Sequence, residues 1–209
     1  MEARFQSSLE AAQQAKDAGN SALREGQLRS AAFQYKKVYL YLAEFLPPKL
    51  TPAYASGSQG ADAGIPLDLL RKKEPRGSPF DGLRPESQQQ MLYLYIVAMN
   101  NLAQAHLKIG RFREAALCAT DVVRFCAWHR AHVATAPAGS VAEAEAKALL
   151  RRAAANVQLQ CWAQVDEDLA QLAQRQVQDA AIDAIRGDVE KGRAAEKAKQ
   201  KKMAQRMFS

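Results

Sequence analysis

Cysteine is scarce in this sequence: only Cys118, Cys126 and Cys161 are cysteines. An odd number of widely spaced cysteines argues against a framework of structural disulfides. Free thiols are typical of a reducing compartment, so we expect a cytoplasmic protein. Cys118 and Cys126 lie close in the sequence to His129 and His132. They lack the short spacing of paired zinc-binding cysteines, so we expect no metal site.

Long hydrophobic runs are also lacking. The longest strongly apolar stretch, Met91–Met99, is followed directly by Asn100 and Asn101. A helix needs about 20 apolar residues to cross a bilayer, so we expect no transmembrane segment. The opening string MEARFQSSLEAAQQAK contains no continuous apolar run, and we therefore expect no secretory signal.

Sequence motifs for catalysis are missing as well. There is no glycine-rich phosphate-binding loop and no nucleophile motif. The scattered serine, histidine and aspartate residues are typical of a protein surface. We therefore expect no enzymatic activity, no catalytic residue and no cofactor.

Alanine, by contrast, is abundant and makes up about a fifth of the chain. Because alanine is the best helix former and is poor in strands, the composition predicts an all-α fold and argues against sandwiches, barrels and doubly wound sheets. Seven of the eight prolines lie between Pro47 and Pro85, together with five glycines. No continuous helix tolerates that density, so we predict an insertion loop over 47–85. Proline suits a first helical position, which predicts one short helix at 66–73.

Hydrophobic periodicity predicts seven longer helices. Gly26 and Gly110 stand where left-handed caps would end the first and third of them. We expect Gly187 and Gly192 to weaken the last helix a little. The predicted helices cover about 2–24, 28–45, 86–109, 112–129, 141–159, 162–172 and 177–208.

Three stretches of the sequence align with one another. In this register Gly19, Ala103 and Ala153 coincide, as do Gly26 and Gly110. Small residues at such positions allow the two helices of a hairpin to cross closely. The third stretch is degenerate, because a glutamine stands where its turn glycine is expected.

This pattern resembles the tetratricopeptide repeat, a helix–turn–helix unit of about 34 residues. The resemblance implies three repeats wound into a right-handed superhelix, with a long C-terminal capping helix. The layout is most like the tetratricopeptide repeat protein 9 family and the repeat domains of large immunophilins, whose basic C-terminal ends resemble the string KQKKMAQRMF. The implied divisions are a repeat domain at 1–175, with repeats at about 12–46, 86–129 and 141–175, and a basic helix at 176–209.

Five polar residues on the first helices of these hairpins are spaced to act together. Lys16 and Asn20 are one helical turn apart, as are Lys147 and Arg151, so each pair shares a helix face. Asn101 lies on the first helix of the second repeat. Lysine and arginine donate charge-assisted hydrogen bonds to carboxylates, and asparagine amides donate neutral ones.

The same five residues resemble the two-carboxylate clamp of tetratricopeptide co-chaperones. The resemblance implies that they hold the terminal carboxylate and the last aspartate side chain of peptides ending in Glu-Glu-Val-Asp. Such peptides are the tails of heat shock proteins 70 and 90. Lys108, further along the same helix as Asn101, is expected to make a secondary peptide contact. The implied function is that of a co-chaperone or adaptor.

Charge leaves other partners open. The formal net charge is +7, and the segment 190–206 contains seven basic and two acidic side chains, a local +5. A basic amphipathic helix can bind calmodulin, an acidic membrane or RNA. The alternative for the helix is a solvated cap, and the alternative for the domain is a scaffold for a different protein. Because the clamp combines only three cations with two asparagines, we favour a carboxylate-ended peptide over a nucleic acid.

Overall fold

The computed structural model describes residues 1–47, 79–132 and 138–207, and this part of the chain is helical without any strand. The predicted all-α class is confirmed. The helices run in the order α1 (Glu2–Arg24), α2 (Leu28–Leu42) with a 3-10 turn (Ala43–Phe45), α3 (Pro85–Ile109), α4 (Phe112–His132), α5 (Ala138–Gln158), α6 (Trp162–Gln174) and α7 (Ala180–Met207).

Six of these helices form three helical hairpins: α1 packs on α2, α3 on α4 and α5 on α6. Each second helix except the last also packs on the first helix of the next hairpin. The first helices, α1, α3 and α5, contact one another in that order, and α7 packs on α5. One surface of the stack is therefore built from first helices, as the alignment of the three stretches predicts.

All three hairpins turn in the same way. Gly26, Gly110 and Gln160 each have a left-handed backbone, with φ of 76°, 85° and 58°. The following amide donates over 2.9 Å to a carbonyl oxygen near the end of the preceding helix, which is the hydrogen bond of a Schellman cap. The third turn thus keeps the geometry of the other two, although glutamine lacks the conformational freedom of glycine.

The core of the first hairpin depends on a close helix crossing. A Cβ atom at Gly19 would lie 2.6 Å from Cε1 of Tyr35. The aligned residues, Ala103 and Ala153, are fully buried. The small residues therefore lie where the predicted crossings need them.

The end of the predicted insertion belongs to the core. Phe80 and Leu83 are buried, and the Phe80 ring packs edge-on against Trp128 with centroids 5.4 Å apart. The part at 48–78, including the helix predicted at 66–73, lies outside the described residues.

Ion pairs join the last two hairpins. Glu145 is buried on α5 and accepts hydrogen bonds from Arg130 of α4 and, at 2.9 Å, from Arg175 just after α6. Arg152 of α5 donates to the buried Asp168 of α6 at 2.5 Å. Both carboxylates are thus compensated by arginine, as buried charges must be.

The C-terminal helix α7 docks through Ile182, Ile185 and Val189, which are buried. A Cβ atom at Gly192 would overlap Cη2 of Trp162. Gly192 therefore does more than weaken the helix, because its missing side chain admits the indole ring. Gly187 has nothing within 4 Å of its Cβ position. Across the three described segments, none of the helices has the length and apolar character to cross a membrane.

Candidate functional site

Two asparagines meet where α1 lies beside α3. Asn101 Nδ2 donates to Asn20 Oδ1 over 3.0 Å. One turn earlier on each helix, Lys16 and Val97 line a groove between α1 and α3. Both pairs have the same separation in sequence, so α1 and α3 run parallel along this groove.

Tyr35 of α2 is also hydrogen-bonded to this pair. Its hydroxyl donates to Asn20 Oδ1 over 2.8 Å, so this oxygen accepts two hydrogen bonds. Among the described residues, none accepts a hydrogen bond from Asn20 Nδ2. Burial raises the pKa of Tyr35, while the nearby charge of Arg151 opposes that rise. The tyrosine is therefore a neutral donor that fixes the orientation of the asparagine.

Arg151 of α5 lies near Tyr35. Its Nε donates to Gln104 Oε1 over 3.0 Å, and its Nη1 donates to the carbonyl oxygen of Asn100 over 2.7 Å and to Asn100 Oδ1 over 2.5 Å. These partners are neutral, and within the described residues no carboxylate pairs with this guanidinium. Burial lowers the pKa of Arg151 from 12.5 to about 10, so it remains charged at neutral pH.

Asn100 holds the guanidinium in place. Its amide nitrogen donates to the carbonyl oxygen of Ala144 over 2.8 Å, which ties α3 to α5. Its oxygen is thereby turned toward Arg151. Asn100, Gln104 and Tyr35 were not predicted as site residues; the signal for Asn100 was a second asparagine beside Asn101 at a buried helix position.

The two lysines have different surroundings. Lys16 lines the groove one turn from Asn20, and its Nζ lies 3.2 Å from Asp17 Oδ1. Lys147 is half exposed and pairs with Glu143 of its own helix over 2.5 Å.

The structure brings Asn20, Asn101 and Arg151 together around Tyr35. We call these four residues the carboxylate cluster, after the ligand that the sequence predicts for this site. The predicted Lys147 is one turn from Arg151, and the predicted Lys108 is exposed near the end of α3.

The groove extends along α1 and α3, from one turn before the two asparagines toward the N-terminal ends of both helices. It encloses about 650 Å³, and its lining on α1 runs from Gln6 to Lys16, about 15 Å of helix. An extended peptide advances about 3.3 Å per residue, so four or five residues fit this length. The lining residues are Gln6, Leu9, Glu10, Gln13, Gln14, Lys16, Gln90, Tyr93, Leu94 and Val97.

The cysteines and histidines of α4 are not arranged as a metal site. Within the described segments, no three histidine, cysteine or acidic residues group closely enough to hold a metal ion. Cys118 and Cys126 are buried, and burial raises the pKa of Cys126 to about 12. This thiol therefore stays protonated and unreactive at neutral pH.

No family model and no curated protein sequence matches this chain.

Proposed function

We propose that this protein is a non-catalytic adaptor that binds the C-terminal end of a partner peptide, with the terminal carboxylate held in the carboxylate cluster. One observation carries the proposal: Arg151 is a largely buried cation whose described partners are all neutral. Burying a charge without a counter-ion is costly, and a bound carboxylate removes that cost. Asn20 and Asn101 supply neutral donors beside it.

The partner we propose is the tail of heat shock protein 70 or 90, which ends in Glu-Glu-Val-Asp. The resemblance to tetratricopeptide co-chaperones supports this partner, and so does the presence of a second cation, Lys16, one turn from Asn20. In this proposal Lys16 and Lys147 hold the aspartate side chain and Lys108 contacts the peptide further out. The three hairpins would be tetratricopeptide repeats in a right-handed superhelix, and the protein would act in the cytoplasm.

The expected affinity follows from the size of the site. Hydrogen bonds to charged groups contribute about 1.5–3 kcal/mol each. A short peptide ligand buries a small area and loses its own freedom on binding, which offsets much of that gain. We expect a micromolar dissociation constant, about −8 kcal/mol.

The test is a pair of calorimetric titrations. A peptide ending in Met-Glu-Glu-Val-Asp should bind as the free acid and should lose measurable binding as the C-terminal amide. Equal binding of both forms, or of neither, contradicts the proposal.

Variants separate the residues of the site. Arg151→Ala and Lys147→Ala should each remove most of the affinity, whereas Arg113→Ala and Lys191→Ala, at exposed positions on α4 and α7, should leave it unchanged. An unaltered isotherm for Arg151→Ala would overturn the role of the cluster. An unaltered isotherm for Lys147→Ala alone would remove that lysine from the site and leave the cluster in place.

A further inference from the structure

The last part of α7 extends beyond the helical stack. The contacts of α7 with α6 end at Arg193, which pairs with Asp166 over 2.5 Å, and at Glu196, which accepts from Trp162 Nε1 over 2.9 Å. All described residues from 197 onward are exposed, and α7 continues to Met207. A helix over 197–207 makes a rod of about 16 Å. We call residues 197–207 the free end.

The free end is cationic all along its length. It contains five basic residues and no acidic one. The acidic residues of α7 all lie before it, where the helix packs on the body of the protein. The five cations are Lys197, Lys199, Lys201, Lys202 and Arg206.

A strip of uncharged residues runs between these cations. Residues 200, 203, 204 and 207 share one helix face by their spacing, and the two methionines on it, Met203 and Met207, are 51% and 80% exposed. The strip continues the face that docks through Val189 and Gly192 closer to the body. Lysine side chains border it on both sides, where their apolar stems can lie along a surface while their charges reach outward.

We propose that the free end of α7 is a docking segment for membranes that contain anionic lipids. The charge is complementary to an anionic surface, and each lysine or arginine near such a surface strengthens binding independently of the others. Two exposed methionines on the strip fit a shallow position at the headgroup boundary. The site is separate from the carboxylate cluster.

The same features argue against two other partners. A nucleic acid would neutralise the cations and leave the methionine strip in water, because phosphate contacts make no use of apolar side chains. A protein groove that accepts a helix needs apolar anchors at several successive turns, and the strip has two large ones.

Flotation of the full-length chain with lipid vesicles tests the proposal. The protein should float with phosphatidylcholine vesicles in which about a third of the lipid is phosphatidylserine, and not with pure phosphatidylcholine vesicles. Neutralising Lys199, Lys201 and Lys202 to glutamine should lower the partition constant about 100-fold, about fivefold for each charge. The double variant Met203→Gln with Met207→Gln should weaken vesicle binding more at high salt than at low salt. Salt screens the electrostatic attraction and leaves the contact of the methionines with the membrane.

A matched control has the same net charge as the triple variant. Arg29, Arg113 and Lys191 are exposed on α2, α4 and the docked part of α7, and their replacement by glutamine should leave vesicle binding within twofold. An equal loss in this control would overturn the proposal, and so would binding of RNA or of an acidic protein without binding of anionic vesicles. The titration with the Met-Glu-Glu-Val-Asp peptide should be the same for all these variants, so failure here is distinct from failure of the peptide site.

Discussion

The hydroxyl of Tyr35 donates a hydrogen bond of 2.8 Å to Oδ1 of Asn20, across the crossing of α2 and α1. The ring reaches this position because Gly19, the residue before the asparagine, has no side chain to block it. The glycine of the first hairpin thus serves both the packing and the site. An asparagine held in this way keeps one orientation of its amide.

Replacing Tyr35 by phenylalanine tests this relationship. The ring and its packing stay, but Asn20 Oδ1 loses one of its two donors, and the amide becomes free to turn. A neutral hydrogen bond contributes about 1 kcal/mol, so we expect the affinity for the free-acid peptide to fall about fivefold in calorimetry. Tyr41→Phe is the control, since Tyr41 is exposed on the same helix. An affinity unchanged by Tyr35→Phe would show that the tyrosine does not orient the asparagine.

The ends of the helices were largely predictable because their signals are local. Glycine at the first two turns and proline at the start of α3 mark helix ends through backbone geometry alone. The third turn shows the limit of such signals, because Gln160 takes a left-handed backbone that its residue type does not predict. The hydrogen bond from the amide of Cys161 to the carbonyl oxygen of Asn156 closes that turn, as the equivalent bonds do at the glycine turns.

The candidate site was predictable only in part. Helical spacing placed Lys16 with Asn20 and Lys147 with Arg151, because side chains one turn apart share a face. Which residues meet across helices depends on packing, and spacing does not contain that information. The spacing of Tyr35 in the sequence therefore gives no sign that its hydroxyl bonds to Asn20.

The charge of Arg151 gives the site a pH dependence. The pKa of Arg151 in the free protein is about 10, because burial disfavours the charged form. A bound carboxylate favours that form, so the complex holds more protons than the free protein around pH 10, and affinity must fall as the pH rises. We expect a constant affinity between pH 6 and about 8.5 and a decline toward pH 10.5. Titrations of Arg151→Gln supply the control, because the decline attributable to Arg151 should be missing there. The same decline in wild type and variant would assign it to other groups.

The two glycines of α7 should respond in opposite ways to alanine. Gly192→Ala places a Cβ atom against the Trp162 ring and disturbs the hydrogen bond from Trp162 Nε1 to Glu196. Overpacking of this kind costs about 1–3 kcal/mol in the free energy of unfolding. Gly187→Ala meets nothing and should stabilise the protein by about 0.5–1 kcal/mol through helix propensity. Urea unfolding measures both, and two variants of equal stability would contradict the close contact at Trp162.

Removing the carboxylate of Asp168 should be among the most damaging substitutions in the second half of the chain. Asp168 is fully buried, and the side chain of Arg152, its partner, is only 13% exposed. Burial raises the pKa of Asp168, and the Arg152 guanidinium opposes that rise. The ionised form of Asp168 is therefore stabilised by Arg152. Asp168→Ala leaves a largely buried cation, for which the expected loss in the free energy of unfolding is about 3–5 kcal/mol.

Two controls separate the effect of the charge from the effect of lost volume. Asp183→Ala breaks the exposed pair with Arg186 and should change stability by less than about 0.5 kcal/mol, because solvent screens that pair. The double variant Asp168→Leu with Arg152→Met removes both charges and keeps the volume, so it should recover most of the stability that Asp168→Ala loses. A double variant as unstable as Asp168→Ala would mean that the pair matters through shape and hydrogen bonding, and that the stranded charge of Arg152 is not the cause.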